Sequence, residues 1–325
     1  VDNSEALYVS VAYDPNAAAH AIKNKLLNQS TINNQIVSGG IGTIKPFPAN
    51  GVSIKPTYYI GKSSDDYIRI PAWKGEPDNV KQSYGASKWN SYIFVDVSNS
   101  QTKNKIAVPV DSNQMTPVAS ATVNLNEFIY YALDAEAANR MNKEQPSGAG
   151  SKLVAGDLAI LVCMHVGTKE ISNWTWQTFF WTTDPATPNF PSSEWEAGLK
   201  PKNLNGAAGH YAVSTAYAMV WPNQHVTGGT NVGVTPIIGY DPYLESGLPE
   251  FKNVNNLDPS YKYGMQSNCM SCHSHAASKE HNPFFGYTAD QYVDMKDPKF
   301  NGWVQLDFAW SIQNNLNPIP VTEKK

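Results

Sequence analysis

"DLAILVCMHVGTKEISNWTWQTFFW", residues 157–181, decides the fold class. Residues 157–167 are apolar on both faces, which suits a strand covered on two sides. After "TKEIS" the pattern alternates. Trp174, Trp176 and Phe180 fall on one face, and Phe179 and Trp181 on the other. Two such runs around a short polar turn predict a β-hairpin inside a sheet. Strand alternation also puts His165 on one face with Leu161 and Cys163, so this histidine points into the interior.

Further strands are predicted at 6–13, 67–73 and 91–97. "DPNAAAHAIKNKLLNQS" (14–30) reads as a helix, with Asp14 as N-cap, Pro15 at the first helical position and Ala19, Ile22, Leu26 and Leu27 as its apolar stripe. "NEFIYYALDAEAANRMNKEQ" (126–145) reads as a second helix capped by Asn126. Residues 210–222 suit a strand or a helix of small residues, and 302–315 a strand or short helix. Between these lie turn-rich stretches fed by 22 Gly and 22 Pro. The expected fold is mainly β and sandwich-like, with a few helices and an irregular or helical C-terminal segment. Residues 1–235 would form the β-rich body. Residues 236–325 would pack on it, or the two would make one continuous domain.

A net charge of −4 argues against a nucleic-acid partner. No apolar run approaches the roughly 18 residues of a membrane span. The absence of an initiator Met at "VDNSEALYVSV" reads as a mature chain whose leader has been removed.

The chemistry concentrates at "SNCMSCHSHAA" (267–277), which spends two of the three cysteines on Cys269-x-x-Cys272-His273. This is the attachment pattern of c-type haem. Each thiol adds to one porphyrin vinyl group. Two intervening residues bring both sulfurs to neighbouring ring edges, and the next histidine falls under the iron as proximal ligand. At this composition the pattern arises by chance on the order of once in a thousand such chains. Other readings stay open. The cysteines could form a disulfide or a redox pair, or bind zinc together with His275 and His281.

"SNCMSCHSHAA" followed by "LDFAWSI" (306–312) resembles the C-terminal haem segment of large single-haem bacterial cytochrome c family proteins. The His-bearing strand before Trp-x-Trp-x-Thr-Phe, and the Lys-containing "NGVSIKPTYYI" (50–60), are similar to strands of that family. The family often carries further histidines after the His165 position and at the end of the Trp segment. Here those places hold Gly167 or Thr168, and Trp181. The resemblance implies a haem protein and carries no activity with it.

The iron's sixth ligand is less legible. His165 is the leading candidate, against the alternative of a satisfied core histidine. Met265, Met295, His210, His225 and His275 are weaker ones, His275 better suited to a surface or propionate role. His20 reads as solvated and Cys163 as a buried, inert thiol. Tyr261, Tyr263 and Met265 precede the motif closely enough to touch the cofactor. Trp174, Trp176, Trp181, Trp221, Trp303 and Trp310 could wall it, although most aromatics are core.

The expected function is electron transfer by an exported c-type cytochrome with one covalent haem c, in the periplasm or outside the cell. Its partners would be a redox protein or other haem proteins, and the β body is compatible with a homo-oligomer. The alternative is an open sixth site, serving a peroxidase- or oxygenase-like enzyme or a small-ligand sensor. Sequence does not decide whether the chain is an enzyme.

Overall fold

The structure, a computed structural model, describes residues 7–77, 82–102, 106–144, 152–219, 237–251, 263–279 and 286–316. It is mainly sheet with few helices. The strands are β1 (Leu7–Val9), β2 (Ala12–Tyr13), β3 (Gly42–Thr43), β4 (Val52–Gly61), β5 (Tyr67–Pro71), β6 (Tyr92–Asp96) and β7 (Thr122–Asn124). They continue with β8 (Tyr130–Ala132), β9 (Leu158–Thr168), β10 (Thr175–Trp181), β11 (Tyr211–Ala216), β12 (Ala277–Ser278) and β13 (Val304–Gln305). The helices are α1 (Pro15–Lys23), α2 (Gln29–Asn33), α3 (Ala135–Glu144), α4 (Glu194–Gly198), α5 (Cys269–Ser274) and α6 (Trp310–Asn314).

The largest sheet runs β1-β4-β9-β10-β11, with β2 beside β4 and β8 beside β9. The predicted hairpin is its centre. β9 and β10 pair antiparallel from Thr168↔Thr175 to Cys163↔Phe180, and β4 covers the other edge of β9. A second sheet, β5-β6-β7, packs on the first. Ile70, Ile93, Val95 and Val123 share a core with Val162, Phe180 and Ala212, giving the sandwich-like arrangement. A separate core lies beside it. There Ala17, Leu26, Ile32 and Phe47 from the chain's start meet Trp174 and Trp176 of the hairpin and Phe300, Val304, Leu306 and Ile312 from its end. The small sheet β12-β13-β3 ties the two ends, with β3 parallel to β13. Each large apolar side chain buried in these cores contributes about 1.5–3 kcal/mol.

Two helix expectations are corrected. The helix expected over 126–145 forms only as α3, begun by the Asp134 carboxylate accepting from Ala137 N at 2.7 Å. Asn126 caps nothing in it; Tyr130–Ala132 instead pair with β9 as β8. At the N-terminus Asp14 caps α1 and Pro15 opens it as expected. However, Ala17 and Ala21 form its buried face, and Ile22 and Leu27 are exposed. Leu26 is buried beyond the end of the helix, just after a left-handed turn at Lys25, where φ is 52°. Residues 211–216 are strand, and 302–315 hold both a strand and a helix.

Candidate functional site

The Cys-x-x-Cys-His motif is helix α5. Asn268, wholly buried, caps it by accepting from Ser271 N at 3.1 Å, and its amide donates to Ala218 O and Ile237 O. Residues three and four apart share a helix face, so Cys269, Cys272 and His273 fall on one side. All three cysteines are free thiols. Cys272 and His273 border a cavity of ≈ 880 Å³ whose other walls include Lys55, His165, Gly167, Trp174, Trp176, Glu245 and Trp310.

His273 is held from two directions. Its Nδ1–H donates to Phe308 O at 2.7 Å, and among the described residues Nε2 has no hydrogen-bond partner. Its ring lies on Trp176, centroids 4.0 Å apart. Trp176 in turn lies across β9 at Gly167, where a Cβ would come within 3.1 Å of Cζ3 of the indole. Burial pushes the imidazole down to about 3, so it is neutral, as a metal ligand must be.

The backbone that supplies the Phe308 carbonyl is unusual. Asp307 and Phe308 have φ of 49° and 67°, and Trp174 has φ of 59°. Left-handed conformations of non-glycine residues cost about 1–3 kcal/mol each and persist where neighbours over-determine them. Here the Asp307 carboxylate accepts from Phe47 N at 2.7 Å and from Lys169 Nζ at 2.6 Å.

Elsewhere on the cavity wall is a polar cluster. His165 Nε2–H donates to Glu245 Oε2 at 2.9 Å, and Nδ1 pairs with Thr178 Oγ1 at 2.7 Å. Burial alone would lower the His165 pKa, but the Glu245 carboxylate overrides it and raises it well above the ordinary value. Glu245 is correspondingly held below the usual carboxylate range: burial opposes ionisation and His165 outweighs it. Lys55, opposite His165 across β4 and β9, has Nζ 4.0 Å from Glu245 Oε1. Behind them Asp241 accepts from Thr57 Oγ1 and Tyr243 N, and its own amide donates to Glu245. Cys269 Sγ lies 3.9 Å from Thr178 Oγ1 and donates to Gly239 O at 3.3 Å. Burial, with Glu245 adding, pushes the Cys272 thiol up to about 12. The cavity continues past Tyr58 and Tyr131 to Tyr8, Arg140 and Glu144.

Cys272 and His273 stand where one thioether and the proximal ligand of a tethered haem would be needed, whereas Cys269 is not among the residues that border the cavity. A neutral imidazole, with one nitrogen anchored and the other unpartnered among the described residues, stands beside the Cys272 thiol on the wall of a cavity near the upper end of ligand-pocket volumes, roughly 300–1,000 Å³.

Of the other residues picked from the sequence, Trp174, Trp176 and Trp310 do line the cavity. Tyr263 and Met265 do not border it. Tyr263 begins a 3-10 turn, Gly264–Gln266, and Met265 is buried in the sandwich core. Met295 packs in the second core, and Trp181 stacks on Phe128. His275 is buried, not at the surface; its Nδ1–H donates to Gly286 O. His210 lies 3.7 Å from Glu127, and His20 is half-buried against Phe47 rather than solvated. Cys163 is buried as expected. Tyr261, Trp221, His225 and His281 lie outside the described residues.

Sequence reasoning missed Glu245, Thr178, Lys169, Asp307 and Phe308. No spacing marks them, because strand pairing and tertiary packing bring them together. Among the described residues no helix is long and apolar enough to cross a membrane. Comparison of the chain with protein-family models, with curated proteins and with solved structures finds no match.

Proposed function

We propose that this chain is an exported c-type haem protein acting in electron transfer, with haem c joined to Cys269 and Cys272 and His273 as the proximal ligand. One observation carries the reading: His273 faces a large cavity beside Cys272, neutral, with Nδ1–H engaged by Phe308 O and Nε2 without a hydrogen-bond partner among the described residues. When bound, the group supplies a one-electron couple at its iron. The protein's own residues orient the imidazole, exclude water from it with Trp176 and Trp310, and hold the motif helix through Asn268. A redox protein or another haem protein would be the partner. Attachment of haem c outside the cytoplasm places the chain in the periplasm or beyond the cell.

A second reading rests on a different observation. His165 has both ring nitrogens engaged, by Thr178 and Glu245, with Lys55 nearby. That favours His165 as a hydrogen-bonding wall residue and a sixth position open to a small outside ligand, as in a sensor or a haem enzyme.

Mass spectrometry of the protein from a host with haem c maturation tests the first reading. The expected gain is ~616 Da, lost in Cys269→Ser/Cys272→Ser. An unmodified mass, or zinc at the motif, overturns it. In the same sample, a reduced spectrum unchanged by carbon monoxide supports a filled sixth position, and a shifted one supports the open site.

A further inference from the structure

The left-handed pair Asp307–Phe308 and the buried cation Lys169 call for a common cause. Neither Asp307 nor Phe308 is a glycine, and both hold positive φ. Lys169 and Asp307 have side chains only 8% and 12% exposed, so their ion pair stands largely out of water. A buried pair of this kind is weak evidence for stability, because desolvation offsets much of the attraction. What it does hold is geometry. Lys169 Nζ donates to Asp307 Oδ1 at 2.6 Å and to Ser172 O at 2.5 Å, inside the β9–β10 turn. The other Asp307 oxygen accepts from Phe47 N. Two distant stretches of chain, the β9–β10 turn and the segment at Phe47, therefore clamp the one peptide segment whose next carbonyl, Phe308 O, receives the His273 Nδ1–H. Relaxed to ordinary negative φ, this segment would turn that carbonyl away. The same cation also sits 5.5 Å over the Trp174 ring, next to Trp176, on which His273 lies.

We infer that the Lys169–Asp307 ion pair is a positioning device for His273, fixing the Phe308 carbonyl so that it aims the imidazole and raises its basicity towards iron. This rests on the haem reading above. A hydrogen bond from the far nitrogen of a ligating histidine makes it a stronger donor. A stronger donor favours ferric over ferrous iron and lowers the reduction potential. Freeing the Phe308 carbonyl therefore raises the potential.

The test uses the haem-loaded full chain with Lys169→Gln, Asp307→Asn, the double variant and Lys169→Arg. Readouts are the attached haem mass, the reduction potential and the solvent exchange of the His273 Nδ1 proton by NMR. The expected result is full haem attachment, a raised potential and at least about tenfold faster proton exchange in each single variant, since exchange reads the local opening that the clamp opposes. The double variant should move no further than either single, since the pair acts as one unit. Lys169→Arg should return both readouts towards wild type. Haem attached in Lys169→Gln with potential and exchange unchanged overturns the inference; if Asp307→Asn fails to fold, Lys169→Gln and Lys169→Arg decide. Haem missing from the wild type is a different result, because it overturns the function reading itself.

Discussion

Asp96, at the end of β6, is 1% exposed and accepts five hydrogen bonds, from the amide and hydroxyl of Ser98, the amide and hydroxyl of Ser100, and the Gln101 side chain. Burial opposes its ionisation, but these donors outweigh it and hold the carboxyl well below the usual range. A carboxyl whose folded pKa is depressed contributes stability above its unfolded value, near 4, and loses it as pH falls towards the folded one. Asp96→Asn should therefore unfold at lower urea than wild type at pH 7, by roughly 1–3 kcal/mol. The gap should close as pH falls from about 5. Urea midpoints measured between pH 7 and pH 3 check this, and a gap that stays constant refutes it. Nothing in "DVSNSQ" announces such a carboxylate, because turn residues look alike whether their partner is water or a buried acid. His165 was more legible: alternation set it on one face with Cys163, but a bulge between the Thr57–Cys163 and Tyr58–Leu161 pairs turns Leu161 to the other face, and the partners Thr178 and Glu245 came only with the fold.

At the scale of elements, two 3-10 turns meet behind the cavity. Glu245–Gly247 carries the carboxylate that binds His165, and Gly264–Gln266 leads into α5. They touch at Gly264, where a Cβ would stand 1.6 Å from Glu245 O. That oxygen is backbone, so the clash can be relieved only by moving a turn. Gly264→Ala should destabilise the fold by more than about 3 kcal/mol, beyond ordinary overpacking. Urea unfolding checks the size, and a loss below about 1 kcal/mol would mean that the turns are not packed this way. Elements with a strong period were readable. The 157–181 hairpin shows this, since β9 is apolar on both faces and β10 alternates. The 126–145 segment shows the limit: its composition suits a helix, yet Tyr130–Ala132 gain more by pairing with Leu158–Ile160. Local propensity gave way to a sheet edge distant in sequence. α1 erred by length, because the helix ends before Leu26 and the expected stripe never completes a second face.

Across the whole molecule, the motif helix does not sit on the sandwich core. Met270, Ala276 and Ala277 belong to the second core, with Ile32, Phe47, Trp176 and Leu306, while Val162, Phe180 and Val95 belong to the sandwich. The cavity lies along this second core, between the large sheet and the C-terminal segment. A group bound only by the folded chain stabilises the part that holds it. Local opening is governed by the contacts of each unit. Removing the proposed tether with Cys269→Ser/Cys272→Ser should therefore act unevenly. Amide hydrogen exchange in α5, β13 and α6 should speed up by at least about tenfold, while β6, β9 and β10 keep their protection where they face the sandwich. Two substituted thiols alone do not produce this pattern, since a small polar exchange at half-buried positions costs little beyond its own contacts. The control is the wild-type chain made without haem maturation, which should match the double variant. If the loaded and unloaded chains exchange alike throughout, the second core is complete without a cofactor and the cavity beside His273 is not built around one.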